Sequence, residues 1–429
     1  MWQRQIAANI PLVLKIPLDN CPTFTALIMV AVGSKFETDQ QSGLSHFLEH
    51  MFFKGTIKRP STLAISSELD AIGGEFNAFT GKEYTGYYVK CSADRAEVAL
   101  DVLSDMLLNS QFSSEEIKRE KGVIIEEINM YQDNPMMHLE DVFERSLYGD
   151  TPAGRDTAGS KETVNAFQPA DFINYWRNYY GKSRAVICLA GNLPDQVDDL
   201  VNKYFVQWPD QSTFQDKLAV SEQQDQPNLL VVNKDTDQTH LALGVRSFPY
   251  GHKQELPVKL LSIILGGSMS SRLFLQIRER QGLAYYVRTN IESYTDSGYL
   301  VTSAGIKKDS LSLAVTTIIN EYKRLTEELV SQAELSRVKS FIAGRLALGL
   351  EGSDDLAQWY ARQQVLRLAQ NNVQANLKKP AEYLAEIQAI SAEQIRQAAQ
   401  LIFVNQGLNL AIIGQVSNQA ELTSQLIFN

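Results

Sequence analysis

Residues 42–53, SGLSHFLEHMFF, bring two imidazoles and a carboxylate together at His46, Glu49 and His50. Leu44, Phe47, Leu48, Met51 and Phe52 recur near i, i+3, i+4, i+7 and i+8, which predicts a mostly buried helix opened by Ser42 or Ser45. Side chains four apart on a helix project the same way from successive turns, so His46 and His50 can reach one ion. Glu49, three after His46, shares that edge. The order H-x-x-E-H is the zincin motif written backwards. Two imidazoles plus a carboxylate suit zinc, with a fourth position left to water. A pair of structural histidines remains the other possibility, because any helix can carry two. Against it, the chain has five histidines in all, and unpartnered imidazoles on an apolar helix are costly.

The third ligand has to come from another element. Residues 119–131, REKGVIIEEINMY, predict a helix whose inward stripe is Val123, Ile124, Ile128 and Tyr131. Glu127 falls within that stripe, Glu126 is turned about 100° away toward solvent, and Glu120, about two turns before Glu127, shares its face. A carboxylate inside an apolar stripe wants a cation or a proton. Glu127 is therefore the candidate metal ligand, and Glu120 the carboxylate that orients a histidine or water. Glu49 is left as general base. A solvated acidic helix explains Glu126 well and Glu127 poorly.

These helices must sit in a larger plan. At about 100 to 200 residues per domain, 429 residues predict two or three domains. Three landmarks recur in order a little over two hundred residues apart. Asp94 opens an amphipathic segment at 96–108, as Asp309 does at 311–325. The helix start Ser113-Ser114-Glu115-Glu116-Ile117 is echoed by Ser331-Gln332-Ala333-Glu334-Leu335. The apolar strand 185–190 runs into Gly191-Asn192-Leu193, as 408–413 runs into Gly414-Gln415-Val416. Unless three element ends coincide by chance, the chain is two homologous halves. Residues 209–228, rich in Gln, Ser and Asp with little apolar periodicity, read as a linker. The expected domains are thus an N-terminal zinc-binding catalytic half at 1–208, the linker at 209–228 and a C-terminal half at 229–429. Segments 23–32, 85–91, 240–245 and 298–305 are β-rich and interleave irregularly with long helices. That pattern predicts an α+β fold with a mainly antiparallel sheet packed by helices in each half. Near 261–265, where the second half would repeat the metal motif, the chain is apolar and has no histidine. One zinc (Zn2+) per chain is expected.

Composition narrows the partners. Fifty acidic against forty basic residues leave a net charge of -10 with no long Lys/Arg block, which argues against nucleic acid. No apolar stretch approaches the roughly 18 residues of a membrane span. Residues 1–15 lack an uninterrupted apolar core with a cleavage site, so no signal peptide is expected and a cytoplasmic location is the default. Cys21, Cys91 and Cys188 are odd in number and far apart, which excludes a full disulfide framework and predicts buried thiols.

With these residues in hand, the chain resembles the pitrilysin (inverzincin) family of zinc metallopeptidases. The likeness is to the branch of subunits of about 50 kDa that includes mitochondrial processing peptidase and its bacterial relatives, against 48.1 kDa for this chain. It runs over essentially the whole sequence. His46, Glu49 and His50 match the family's H-x-x-E-H, Glu127 its distal ligand and Glu120 its assisting glutamate. Residues 74–80, GEFNAFT, resemble its active-site edge strand, which implies that Phe76, Asn77 and Ala78 bind substrate by backbone pairing. Arg278 and Tyr285, in IRERQGLAYYV, match the Arg and Tyr that hold substrate and steady the oxyanion. Gly266-Gly267-Ser268 resembles its glycine-rich loop, although it is shorter than in the noncatalytic processing subunit. Taken without the resemblance, residues 75–91 could be an ordinary hairpin, and Arg278 and Tyr285 a surface arginine and a core tyrosine. The resemblance implies a zinc endopeptidase that hydrolyses unfolded or extended peptides inside a closed chamber, this chain forming one half of a clamshell. A homodimer, or a related partner subunit, would complete it, with Arg278 and Tyr285 lent across the interface. The family also contains noncatalytic peptide-holding and scaffold subunits, which typically lose Glu49 or a ligand.

Overall fold

Strands assemble into two sheets in the computed structural model, which describes residues 3–5, 9–210, 214–221, 223–373 and 376–428. The first sheet contains β1 (Gln3–Gln5), β2 (Leu12–Pro17), β3 (Thr23–Val30), β4 (Glu75–Thr80), β5 (Thr85–Ser92) and β6 (Ala185–Gly191), in the order β1-β2-β6-β3-β5-β4. The second contains β7 (Asn228–Val232), β8 (Thr239–Arg246), β9 (Ala284–Ser293), β10 (Gly298–Ile306) and β11 (Leu408–Ile413), in the order β7-β11-β8-β10-β9. Apart from β1, the two sheets thread alike. Each has one parallel pair, β2 with β6 and β7 with β11, and is otherwise antiparallel. The α+β plan written twice, expected from the three echoed landmarks, is the one observed.

In the first sheet α1 (Leu44–Met51) and α2 (Thr62–Asp70) lie between β3 and β4 in the chain. After β5 come α3 (Ala96–Asn109), α4 (Ser114–Asp133) and α5 (Pro135–Tyr148). The chain forms two compact units that do not follow a single cut through the sequence. The first is residues 1–128, 156–218 and 346–378, and the second is residues 129–155, 219–345 and 379–429. Each unit therefore takes a helix from the other half of the sequence. In the second unit α5 packs on β7, β8 and β11, and in the first the helix Ser353–Ala369 packs on β2, β3 and β6. The central strands explain why. β6 and β11 are buried at every position and β3 and β8 at nearly every one, so both faces of each sheet need cover.

Specific contacts seat these exchanged helices. Leu139, Val142, Phe143 and Leu147 of α5 join a core with Ala242, Ala411 and Ile413. Gly244 of β8 allows the approach, since a Cβ there would lie 2.7 Å from the Phe143 ring and 2.3 Å from the Leu300 carbonyl oxygen. The Ser353 hydroxyl is 2.9 Å from that of Thr23 and 2.8 Å from that of Thr25, and Asp354 pairs with Lys90 at 2.9 Å.

Within 209–228 the described residues form no helix or strand before β7, and residues 211–213 and 222 lie outside the described set. Residues 1, 2 and 6–8 of the amino-terminal stretch lie outside it too. Two local expectations need correction. Val123 is 51% exposed, so the buried line of α4 is Ile117, Glu120, Ile124 and Ile128. Cys91 and Cys188 are buried free thiols, whereas Cys21 is half-exposed. Among the described residues no helix is long and apolar enough to cross a membrane.

Candidate metal centre

Helix α1 divides as its periodicity predicts. Leu44, Ser45, Phe47, Leu48 and Met51 are buried, with Phe47 meeting Phe172 edge-on at 4.8 Å between ring centroids. His46, Glu49 and His50 are half-buried on the remaining side. His46 Nε2 stands 3.7 Å and His50 Nε2 3.6 Å from the same Glu127 Oε2, and the two imidazole centroids are 4.6 Å apart. Ligand atoms bound to one tetrahedral zinc at about 2.0–2.2 Å lie about 3.3–3.6 Å from one another. The donor set is of the right chemistry, and its nitrogen–oxygen spacings need to close only slightly to take the ion.

A second layer holds this set. Glu120 Oε1 accepts the Nδ1–H of His50 at 2.8 Å, and Glu120 Oε2 pairs with Lys54 Nζ at 2.7 Å. The Glu120 bond puts the His50 proton on Nδ1 and leaves Nε2 facing Glu127, as a metal-ligating imidazole requires. Burial alone would raise the Glu120 carboxyl, but the hydrogen bonds from His50 and Lys54 and their positive charges bring it below the ordinary carboxylate range. Burial likewise pulls His50 down, yet the Glu120 hydrogen bond and the charges of Glu49, Glu120 and Glu127 outweigh it and raise its pKa. His46, desolvated and beside His50, is lowered to about 3. It is therefore neutral near pH 7, with a lone pair to give. Its Nδ1 is buried with no hydrogen-bond partner.

Glu49 faces the same space. Burial raises its pKa, opposed by the Thr80 hydroxyl, which donates to Oε2 at 2.5 Å. Thr80 is the last residue of β4, and α1 packs beside that strand. Among the described residues β4 is the end strand of its sheet, paired only with β5 from Glu75↔Lys90 to Thr80↔Thr85. Phe76 and Ala78 pack against the core, Phe76 stacking on Phe53 at 6.4 Å, while Asn77 is exposed. Of the three, only Asn77 turns its side chain outward, so Phe76 and Ala78 have mainly backbone to offer.

On α4, Glu126 is exposed and Glu127 is half-buried beside the apolar line rather than inside it. Arg278 and Tyr285 belong to the second unit. Arg278 lies in the π-helical turn Phe274–Arg280, its guanidinium 4.9 Å from the Phe274 ring centroid and 5.8 Å from that of Tyr285. Tyr285, on β9, is 74% exposed, which removes the core-tyrosine alternative. Two contributors went unnoticed in the sequence. Lys54 lies one turn beyond His50 and could have been found from that spacing. Thr80 carried no signal, because only the fold brings β4 to α1.

Residues 16–161 match the model of the insulinase family (peptidase family M16), and residues 166–341 match that of the peptidase M16 inactive domain. The chain is 35% identical over 407 residues to the uncharacterized zinc protease YmxG of Bacillus subtilis, covering 94% of this chain and 97% of that one. It is 30% identical over 403 residues to the uncharacterized zinc protease Rv2782c of Mycobacterium tuberculosis, covering 93% and 90%. In fold it is similar to a protease from Helicobacter pylori (TM-score 0.87, 22% identity, 97% of this chain and 99% of that one). It is also similar to a peptidase M16 inactive domain from Pseudomonas fluorescens (TM-score 0.84, 18% identity, the same coverage).

Proposed function

The chain belongs to the insulinase-type M16 peptidase family, and from that premise we propose that it is a zinc endopeptidase of the mitochondrial-processing-peptidase-like branch, acting on unfolded or extended peptides. One observation carries the proposal. Both Nε2 atoms of α1 face a single Glu127 oxygen, with Glu120 behind His50 and Glu49 beside them. His46, His50 and Glu127 would hold the ion. When bound, zinc supplies a Lewis acid that acidifies water and polarises a carbonyl.

The chain's own groups do the rest. Glu49 takes a proton from the attacking water and returns it to the leaving amine. Its raised pKa suits a group that must both hold and release a proton. Thr80 restrains one Glu49 oxygen and leaves the other available. Glu120 keeps the Nδ1 proton on His50 and so keeps Nε2 directed at Glu127. β4, whose outer edge carries no Lys or Pro to deter pairing, takes an extended peptide as an added strand. Arg278 holds the substrate backbone, and the exposed Tyr285 hydroxyl steadies the oxyanion. One chain supplies only two of the sheet-and-helix halves, so the active form is a homodimer, or a pairing with a related subunit, that closes a chamber around the peptide. Arg278 and Tyr285 act in that assembly from the neighbouring chain.

The test is metal analysis of the purified protein together with peptide cleavage by wild type and Glu49→Gln. About one zinc per chain in both, with cleavage roughly 100-fold or more lower in the variant, is the expected result. Equal cleavage by the two, or protein that takes up no zinc, would remove the proposal.

A further inference from the structure

The metal helix has no cap of its own. Gly43 stands at its N-cap with φ 93°, and a Cβ there would lie 2.5 Å from the Ala158 carbonyl oxygen. The position therefore requires glycine and cannot supply a capping side chain. The unpaired amides at the helix start are taken by a residue from well upstream. Glu37 Oε2 accepts the Gly43 N–H at 2.8 Å, and Oε1 accepts the Ser45 N–H at 2.6 Å. Glu37 is only 4% exposed. Burial pushes its carboxyl up to about 7, against the pull of the Ser45 and Gly43 amides and the charge of Lys82.

Two further links tie this carboxylate to the centre. Ser45 immediately precedes His46, and its hydroxyl shares a 2.7 Å hydrogen bond with the buried Tyr175 hydroxyl. Glu37 closes the turn Ser34–Phe36, whose Ser34 and Lys35 amides donate to the Gly81 and Lys82 carbonyls at 3.2 and 2.9 Å. Those carbonyls belong to the β4–β5 turn, next to Thr80. A single short segment thus grips both the helix that carries His46, Glu49 and His50 and the strand whose Thr80 holds Glu49. Helix α1 is only eight residues long, so nothing beyond its first turn lies between the grip and His46. A metal site loses function when its ligands stray by about 0.5 Å.

We propose that Glu37 is a positioning residue for the metal centre, setting the rotation and height of α1 against β4 so that His46, Glu49 and His50 meet Glu127. The inference rests on the zinc site of the proposed function. The apolar side chains of α1 suffice to pack it, whereas aiming it needs directional bonds at its free end.

The test uses the full-length protein, stripped of metal and refilled. Glu37→Gln keeps the shape but turns one acceptor into an amide that cannot receive an N–H. The variant should fold and yet bind zinc about 10- to 100-fold more weakly in competition with a chromophoric chelator. Its cobalt(II)-substituted visible spectrum should also differ from wild type. Asp105→Asn, which weakens the buried Arg59 and Thr56 contacts in the same unit, should lower the melting temperature and leave zinc affinity and spectrum unchanged. If Glu37→Gln does not accumulate as folded protein, Glu37→Asp, which draws the carboxylate back by one methylene, is measured in its place with the same expectation. Wild-type zinc affinity and spectrum in the Glu37 variant would overturn the inference, as would an equal loss in Asp105→Asn. Both results leave the zinc reading intact. A wild-type protein that binds no zinc would instead take down the functional reading, and this inference with it.

Discussion

Helix α1 and the helix Glu255–Gly266 hold the same place in the same topology, each between the second and third strands of its sheet in chain order once β1 is left aside. Their free sides differ. α1 leaves His46, Glu49 and His50 half-buried, each within reach of a partner from α4 or β4. The second helix buries every residue but Glu255, Leu256 and Lys259, carries no histidine, and presses onto β9 so closely that a Cβ on Gly266 would lie 2.4 Å from the Thr289 hydroxyl. One architecture therefore holds a cluster of metal-type donors in one unit and a sealed core in the other. The fold supplies a helix beside an edge strand, and only the side chains on that helix decide whether the place does chemistry.

The sharpest test of this contrast is on α4. Glu127→Gln should remove zinc and cleavage together, while Glu126→Gln, one residue away but exposed, should alter neither by more than about twofold. Metal content and peptide turnover of the two variants check it, and a metal-sensitive Glu126 would reverse the assignment. Next in size is a core variant on the other side of the comparison. Phe143→Ala should cost about 3–5 kcal/mol in denaturant unfolding and leave zinc affinity in the folded protein as it was, because α5 packs on β7, β8 and β11 of the second sheet. Loss of zinc from the folded variant would show that the units are not separable in this sense.

Tyr285→Phe tests one of the two roles assigned to the second unit. Cleavage should fall by roughly 100-fold, the scale of losing one oxyanion donor, with zinc retained. Mixing it with Glu49→Gln under conditions of subunit exchange should restore activity if the tyrosine acts across chains. No recovery despite demonstrated exchange would place its action within one chain or remove it.

The smallest effects concern two histidines with opposite shifts. Burial lowers His240, on β8, which shares a 3.1 Å hydrogen bond with the Tyr286 hydroxyl. The folded protein keeps it neutral while the unfolded chain takes up a proton below about pH 6.5, so its contribution is present above that pH and is lost as pH falls through it. His240→Gln should therefore flatten part of the drop in melting temperature between pH 7 and pH 5. His50 in metal-free protein has the opposite sign. Its raised pKa makes its contribution complete at low pH and lost as pH rises through the folded value. Melting curves of metal-free His240→Gln and His50→Gln against wild type over that range check the pair, and changes of slope of the same sign would contradict it.

Much of the centre was legible before any coordinates, and the legible part shares one cause. Spacing along a helix maps directly onto direction, so His46 and His50, four apart, and Glu49, three after His46, could be placed on one side of α1 from spacing alone. The same logic put Glu120 and Glu127 together. It is weaker on α4, where the pattern puts Val123 in the core and the structure exposes it, because a twenty-residue helix whose own residues lean toward charge offers two plausible stripes. Thr80 was invisible, since a hydroxyl at the end of a strand has no periodicity that points at a helix thirty residues away.

Local periodicity and repetition determined the twofold plan, the boundaries of the main strands and the chemistry of the donor set, because each depends on residues close together in the chain or on the same pattern occurring twice. The tertiary structure alone decided the exchange of α5 and Ser353–Ala369 between sheets, since covering the second face of a buried strand is satisfied by any amphipathic helix that can reach it. It alone decided that Glu37 would hold the amides of Gly43 and Ser45, and that the proton on His50 would sit toward Glu120. Hydrogen bonds between distant segments leave no mark on sequence spacing, because their geometry is set by where the packed backbone brings the two groups and not by how far apart they lie along it.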